Sequence, residues 1–225
     1  YTYINTLILI GLGIDAEFQE RAKAATLRAA PKALYRNAPI KGFHRMYNKL
    51  WVDHRDAGAP RPSKNIDVVR SYASMDTTDE ISAVFQELEK EFGTVHGVRL
   101  CKNNFTAEDG SEMAHYRAVY AIVEFIPKSG ENFGQLAARS ESLWAEHLKQ
   151  RDALEQSSVK KAAQQLRAGG ELSAAPVRML CEVQLMLTTY QKVRGSMHLL
   201  YKVKRAADPT SLWRDFSGRV NPLAS

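Results

Sequence analysis

The stretch CEVQLMLTTYQKVRGSMHLLYKVKRA, Cys181–Ala206, decides how the chain is read. It starts as a hydrophobic strand, yet Glu182 and Gln184 stand where a core strand prefers aliphatic residues, and a helix follows that carries His198 and Tyr201 one turn apart. Side chains on a strand alternate between its faces. In RMLCEVQLM, Arg178, Glu182 and Gln184 therefore share one face, while Met179, Cys181, Val183 and Leu185 fill the other. The polar face is either a site or the solvated side of a sheet.

Working outward, three more strands are predicted: NIDVVRSYASM from Asn65, VHGVRLCKNNF, and HYRAVYAIVEF. Between the first two lies a helix whose start is marked by the capping box Thr77–Glu80. Its apolar stripe is Ile81, Val84, Phe85, Leu88 and Phe92, and Gly93 stops it. GFHRMYNKLWVDH reads as a helix, and so does Asp15–Arg28. A long polar helix or helix pair occupies the segment before the last strand, ending at Gly169–Gly170. The order, helices and then β-α-β-β-α-β-α, is that of an α+β domain with helices on a mixed sheet.

With 225 residues, one substantial core with decorations is expected. A net charge of +6 suits an acidic partner such as a nucleotide, RNA, an anionic lipid or an acidic protein surface; it equally suits a basic organelle protein. Cys101 and Cys181 are the only cysteines, which excludes a disulfide framework and points to free thiols in a reducing compartment. The apolar run TLILIGLGI is about half the ~20 residues that span a bilayer, so no transmembrane helix is expected. It lacks the basic flank of a signal peptide. A start at Tyr1 rather than Met suggests an upstream segment, such as an organelle-targeting peptide.

Two motif matches are set aside. GLGIDA fits the G-x-G-x-x-A dinucleotide fingerprint, but no strand ending in an acidic residue follows where a ribose ligand belongs. HRD at His54–Asp56 lacks both the glycine-rich loop and the DFG of a kinase. The stronger signal is a constellation on strands. Asp67 and Arg70 are expected on opposite faces of theirs, and Asp67 can converge with Glu182 from a neighbouring strand. Two such carboxylates can hold one Mg²⁺ or divide into a metal ligand and a general base. Alternatively, each pairs with a nearby arginine as a structural ion pair. Lys41, Arg45 and Lys49 are spaced by four and line one side of a helix, where they suit a polyphosphate or form a solvated stripe. Tyr116, on the face of Tyr120, can stack a purine.

In succession, IKGFHRMYNKL, NIDVVR, VRLCKNNF, HYRAVYAIVEF, CEVQLML and GSMHLLYK resemble the synthetase domain of the RelA/SpoT family, nearest to divergent protist-type members. The resemblance implies a nucleotidyltransferase-like fold and the transfer of pyrophosphate from ATP to the 3′-hydroxyl of GDP or GTP. By position it makes Asp67 the Mg²⁺-binding Asp, Arg70 the arginine of G-x-R, Tyr116 the guanine-stacking Tyr of G-Y-x-S-x-H, and Glu182, beside Gln184, the catalytic Glu of E-x-Q. Arg45 and Lys49 fall near the ATP-binding cations, and His198 near the histidine of the closing helix.

The chain also departs from the family. His115, Ala118 and Tyr120 replace the Gly, Ser and His of that motif, the R-x-K-x-x-x-S pattern is incomplete, and no HD-type hydrolase domain is present. The expected organisation is an apolar stub and helix over 1–37, the nucleotidyltransferase-like domain over 38–206 with a helical insertion at about 131–170, and an extended arm over 207–225. With the carboxylates kept and the positioning groups eroded, the expected function is a non-catalytic accessory or interaction protein. It would be a subunit of a larger organellar, mitochondrial assembly on the matrix side, partnered by other proteins. The alternative is an active Mg²⁺-dependent pyrophosphotransferase binding purine nucleotides. No motif supports nucleic-acid binding.

Overall fold

A computed structural model describes residues 1–52, 54–93, 98–106 and 117–193, together with Val203 and Pro209. It is a mixed α+β fold, a five-stranded mixed sheet flanked by helices, as expected of a nucleotidyltransferase-like arrangement. The strands are β1 (Leu34–Asn37), β2 (Val69–Met75), β3 (Val98–Asn103), β4 (Val119–Phe125) and β5 (Met179–Leu187), ordered β1-β2-β5-β4-β3 across the sheet. Only the β2–β5 pair is parallel; the other three pairs are antiparallel. The strand with the polar interruptions is thus the central one. β1 is an addition to the elements predicted from the sequence. Its four residues are too few to show a period, and it is held at the edge by pairing with β2.

The N-terminal segment is one helix, α1 (Thr2–Ala29), rather than an apolar stub followed by a helix from Asp15. Ile4, Ile8, Ile14, Phe18, Ala22 and Ala25 are buried along it, and the glycines that break the sequence pattern are close-packing positions. A Cβ on Gly11 would lie 3.1 Å from Val69 Cγ2, so the glycine lets α1 approach the start of β2. A Cβ on Gly13 would lie 2.8 Å from both Leu136 Cδ1 and Ser140 Oγ. The dinucleotide-like GLGIDA is therefore mid-helix packing, which removes any strand–turn–helix context for phosphate binding. No described helix is long and apolar enough to cross a membrane.

Helix α3 (Thr78–Phe92) has the expected capping box, with Thr77 accepting from the Glu80 N–H and Glu80 accepting from that of Thr77. Its stripe Ile81, Val84, Leu88 and Phe92 is buried, and Gly93 ends it at φ +91°. α1 and α3 cover one face of the sheet: Phe18 and Phe92 meet Phe125, while Ala73, Ala121, Cys181, Val183 and Leu185 complete that core.

The insertion comprises α4 (Phe133–Arg139), α5 (Glu141–Lys149), α6 (Ala153–Arg167) and the short α7 (Glu171–Ala174), where the sequence suggests one helix or a pair. Asn132 and Asp152 cap α4 and α6, dividing the polar run. The insertion anchors on α1: Trp144 Nε1 donates to the Leu9 carbonyl (2.9 Å), Arg139 Nη1 to the Gly13 carbonyl (3.0 Å), and Asn5 Nδ2 to Ser158 Oγ (2.7 Å).

Gly13→Ala tests this anchoring. Leu136 and Ser140 are themselves buried and have little room to yield, so overpacking is expected to cost about 1–3 kcal/mol. That outweighs the ~1 kcal/mol that alanine gains in an unconstrained helix. Urea denaturation should give a lower midpoint than wild type; a higher one would show that α4 does not close on Gly13.

Candidate functional site

On the sheet face opposite α1 and α3, register sets two polar rows side by side. Arg70 of β2 pairs with Glu182 of β5, which pairs with Ile122 of β4; one step along, Tyr72 pairs with Gln184, and Gln184 with Tyr120. The two faces of β5 divide as its alternation predicts. Gln184 Nε2 donates to Glu182 Oε1 at 2.5 Å, and Glu182 is 9% exposed.

Asp67 corrects the expectation for its strand. β2 begins at Val69, so Asp67 lies before it in non-strand backbone, and period-two alternation does not separate it from Arg70. Lys41 Nζ donates to Asp67 Oδ1 at 2.9 Å and to Oδ2 at 2.8 Å, and Lys49 Nζ donates to Oδ1 at 3.3 Å. The lysines come from two places: Lys49 from α2 (Phe43–Val52), and Lys41 from the chain just ahead of it, whose backbone N–H bonds the Val68 carbonyl at 3.0 Å. The basic row is therefore not one helix side. Lys41 is buried, and Lys49 meets it at the same carboxylate. Arg45 is exposed and forms no ion pair with a described residue.

The electrostatics separate the two acids. Burial pushes Asp67 up, but the Lys41 and Lys49 ammonium groups outweigh it and hold the carboxyl at about 2, below its ordinary 3.8. Burial pushes Glu182 up, the Gln184 hydrogen bond opposes this, and the Asp67 charge pushes it up further. Arg70 and Lys49 pull Glu182 down, and the balance leaves it raised. Burial brings Lys41 down to about 8 despite the attraction of Asp67. Asp67, Glu182, Arg70, Lys41 and Lys49 thus form one charge cluster.

Structural ion pairing on this face occurs elsewhere. Glu124 is the carboxylate held by Arg99 and Arg178. Tyr116, His198 and Tyr201 lie outside the described residues. The sequence reading offered Lys41 only as part of a polyphosphate-binding row and not as the partner of Asp67, and it gave no role to Tyr72, which shares a face with Arg70 by simple alternation.

Among the described residues no group of three or more His, Cys, Asp and Glu is placed to hold a metal. Two carboxylates do suit Mg²⁺, which is commonly bound through one or two of them together with water and substrate phosphates. A carboxylate has about four lone-pair sites. The lysines engage Asp67 three times and leave room on Oδ2, while the raised Glu182 would gain from added positive charge. The donor set fits the ion.

No protein-family model matches the chain, and no curated protein matches it. Among solved structures, a chain from the crystal structure of the complex between the Type VI effector Tas1 and its immunity protein is similar at 15% identity, with a TM-score of 0.38. The match covers 69% of this chain and 91% of that one. It assigns the chain to no family.

The Asp67 cluster sets an acid limb of stability. Its folded pKa lies below the unfolded value, so its contribution is full above about pH 4 and is lost as the pH falls towards 2. Lys41→Met should move that loss to higher pH and cost up to about 3 kcal/mol at neutrality, since Lys49 still partners the carboxylate. Urea midpoints between pH 2 and 6 measure both; an unchanged limb would mean that Lys41 does not hold Asp67.

Proposed function

We propose that the polar face of the sheet is a working polyphosphate-transfer site, and that the chain is an Mg²⁺-dependent nucleotide pyrophosphotransferase. The observation that carries this reading is the divergence of Asp67 and Glu182 within one charge cluster: one carboxyl is held ionised and the other is raised. Environments that push paired acids apart are how enzymes divide such roles. Asp67 is the residue that would hold Mg²⁺, which when bound would supply positive charge to the transferred phosphoryl oxygens.

Glu182, raised by burial above an ordinary glutamate and hydrogen-bonded by Gln184, accepts the proton of the acceptor hydroxyl. Lys49 and Arg70 place positive charge beside it for the donor phosphates. Lys41 keeps Asp67 ionised and oriented. The resemblance to RelA/SpoT synthetases supplies the substrates of the proposal: a nucleoside triphosphate as donor and a purine nucleotide hydroxyl as acceptor. The insertion anchors on α1, which packs on the opposite face of the sheet, and also meets α2 through the contact of Glu155 with His44 at 3.2 Å.

A second reading, an accessory subunit that docks through the insertion, is favoured by a groove between α5 and α6. It has a volume of about 500 Å³ and is floored by Trp144, Leu148, Val159 and Ala163.

The test is incubation with labelled ATP, GDP and Mg²⁺, followed by separation of pyrophosphorylated nucleotide. Glu182→Gln should lower the rate by about 10²-fold or more, with folding unchanged by circular dichroism. Below neutral pH the wild-type rate should rise with pH as Glu182 loses its proton, with a midpoint above an ordinary glutamate's. No product from any purine acceptor would leave the accessory reading standing.

A further inference from the structure

One buried acid of the insertion reaches the helix that carries Lys49. Glu155 stands in the first turn of α6, and Asp152 caps that helix by accepting the Glu155 N–H at 2.8 Å. In α3 and α4 the residues at the same position, Glu80 and Gln135, turn their side chains back to the backbone of the cap. The Glu155 carboxylate turns elsewhere. Its Oε1 lies 3.2 Å from His44 Nε2 on α2, and its Oε2 lies 3.7 Å from Arg151 Nη1. The side chain is 9% exposed, so these two groups stand in for the water it has lost.

The two partners are unequal. At 3.7 Å Arg151 is beyond hydrogen-bond reach and acts only as a nearby charge. Glu155 Oε1 takes no hydrogen bond from any other described group, which leaves the imidazole to answer it. A neutral imidazole can donate there and a protonated one forms an ion pair, so the contact is favourable in either form. His44 precedes Lys49 by five residues, and Lys49 Nζ bonds Asp67 Oδ1 at 3.3 Å. Five residues are about 7.5 Å of helix rise and about 140° of rotation. Glu155 and Asp67 therefore hold α2 at two heights and on two sides. The buried Phe43 and Met46 attach the helix without direction, whereas two polar contacts so spaced oppose both sliding and turning.

From this we infer that Glu155 and His44 form a clip by which the insertion positions α2, and that Glu155 is thereby a positioning residue for Lys49. The clip rests on the contacts; its consequence for donor phosphates rests on the transfer reading above. It gives the insertion a part in the site, although the other anchors of the insertion lie on α1. Opening the clip removes no group that touches a substrate. It lets α2 shift, so that Lys49 is less often where a polyphosphate needs it, and affinity for the polyphosphate falls.

The experiment is amide hydrogen exchange of the full chain, with calorimetric titration of Mg²⁺–ATP and of inorganic tripolyphosphate with Mg²⁺. Glu155→Gln keeps the shape of the side chain and removes its charge; His44→Ala removes a ring that is 30% exposed, so folding survives it. Each should speed exchange of the α2 amides about tenfold, leave those of α3 unmoved, and weaken both probes about fivefold. The double variant should be no worse than either single one, and Glu155→Gln should have no further effect on affinity in a Lys49→Met background. Unmoved α2 exchange would overturn the clip, and so would losses that add in the double variant, since these mark two unrelated defects. Faster exchange with unchanged affinity for both probes, or no binding of either probe to wild type, would overturn the positioning role. The transfer assay keeps the two proposals apart. Clip-dependent ATP binding without product removes the transferase and keeps the positioning residue. Product from wild type, with α2 exchange unmoved in both variants, removes the clip and keeps the transferase.

Discussion

Asp67 ties three parts of the chain to one point. Its carboxylate sits just ahead of β2, with Lys41 from the segment before α2 and Lys49 from α2 itself bonded to it. Lys41 is 5% exposed, so its ammonium has no water to take the place of the carboxylate. A buried ion pair of this kind is weak evidence for stability, since desolvation costs several kcal/mol per ion. It is stronger evidence for geometry: removing the carboxylate strands the buried Lys41, and Lys49 ties α2 to the same point. Everything on the polar face is arranged around that fixed anion.

The sheet makes the site possible by carrying opposite chemistries on its two faces. On β5, Cys181, Val183 and Leu185 are completely buried beneath α1 and α3, while Glu182 and Gln184 emerge one residue away on the other side. The same packing reaches β2 through Gln19 of α1, which donates to the Arg70 carbonyl at 3.1 Å and accepts from Tyr35 of β1 at 2.8 Å. The backbone beneath the cluster is therefore gripped from the core side, and side chains on the polar face inherit a rigid base.

The sequence showed the sheet and its central strand because alternation is a local property. CEVQLML gives the same division of faces in any register, and the Thr77–Glu80 box needs only four residues. What it misplaced depended on long-range contacts. Gly11 and Gly13 look like breakers until Val69 and Leu136 come within touching distance. Asp67 looks like a strand residue because NIDVV is β-branched and continuous, whereas pairing with β5 begins only at Val69. The cationic row was legible as spacing, yet α2 starts at Phe43, which leaves Lys41 on an approach segment and Arg45 in solvent. Tyr116 and His198 fall outside the described residues.

The departures from the RelA/SpoT pattern read differently once the strands are in register. Ala118 is 2% exposed, just before Val119, the partner of Leu185 in register, so a polar residue there would need its own partner. Tyr120 faces Gln184 from β4 and Tyr72 faces it from β2, so the substitution puts a second aromatic ring across from one already present. A histidine replaced by a tyrosine at that place exchanges a titratable ring for a larger uncharged one, favouring stacking over proton transfer. Glu182 is raised by burial and by the Asp67 charge, both of which come from residues other than the replaced histidine. The substitutions that look like erosion in a linear comparison leave, in three dimensions, the charge cluster of Asp67, Glu182, Arg70 and the two lysines in place, with aromatic side chains on either side of Gln184 next to it.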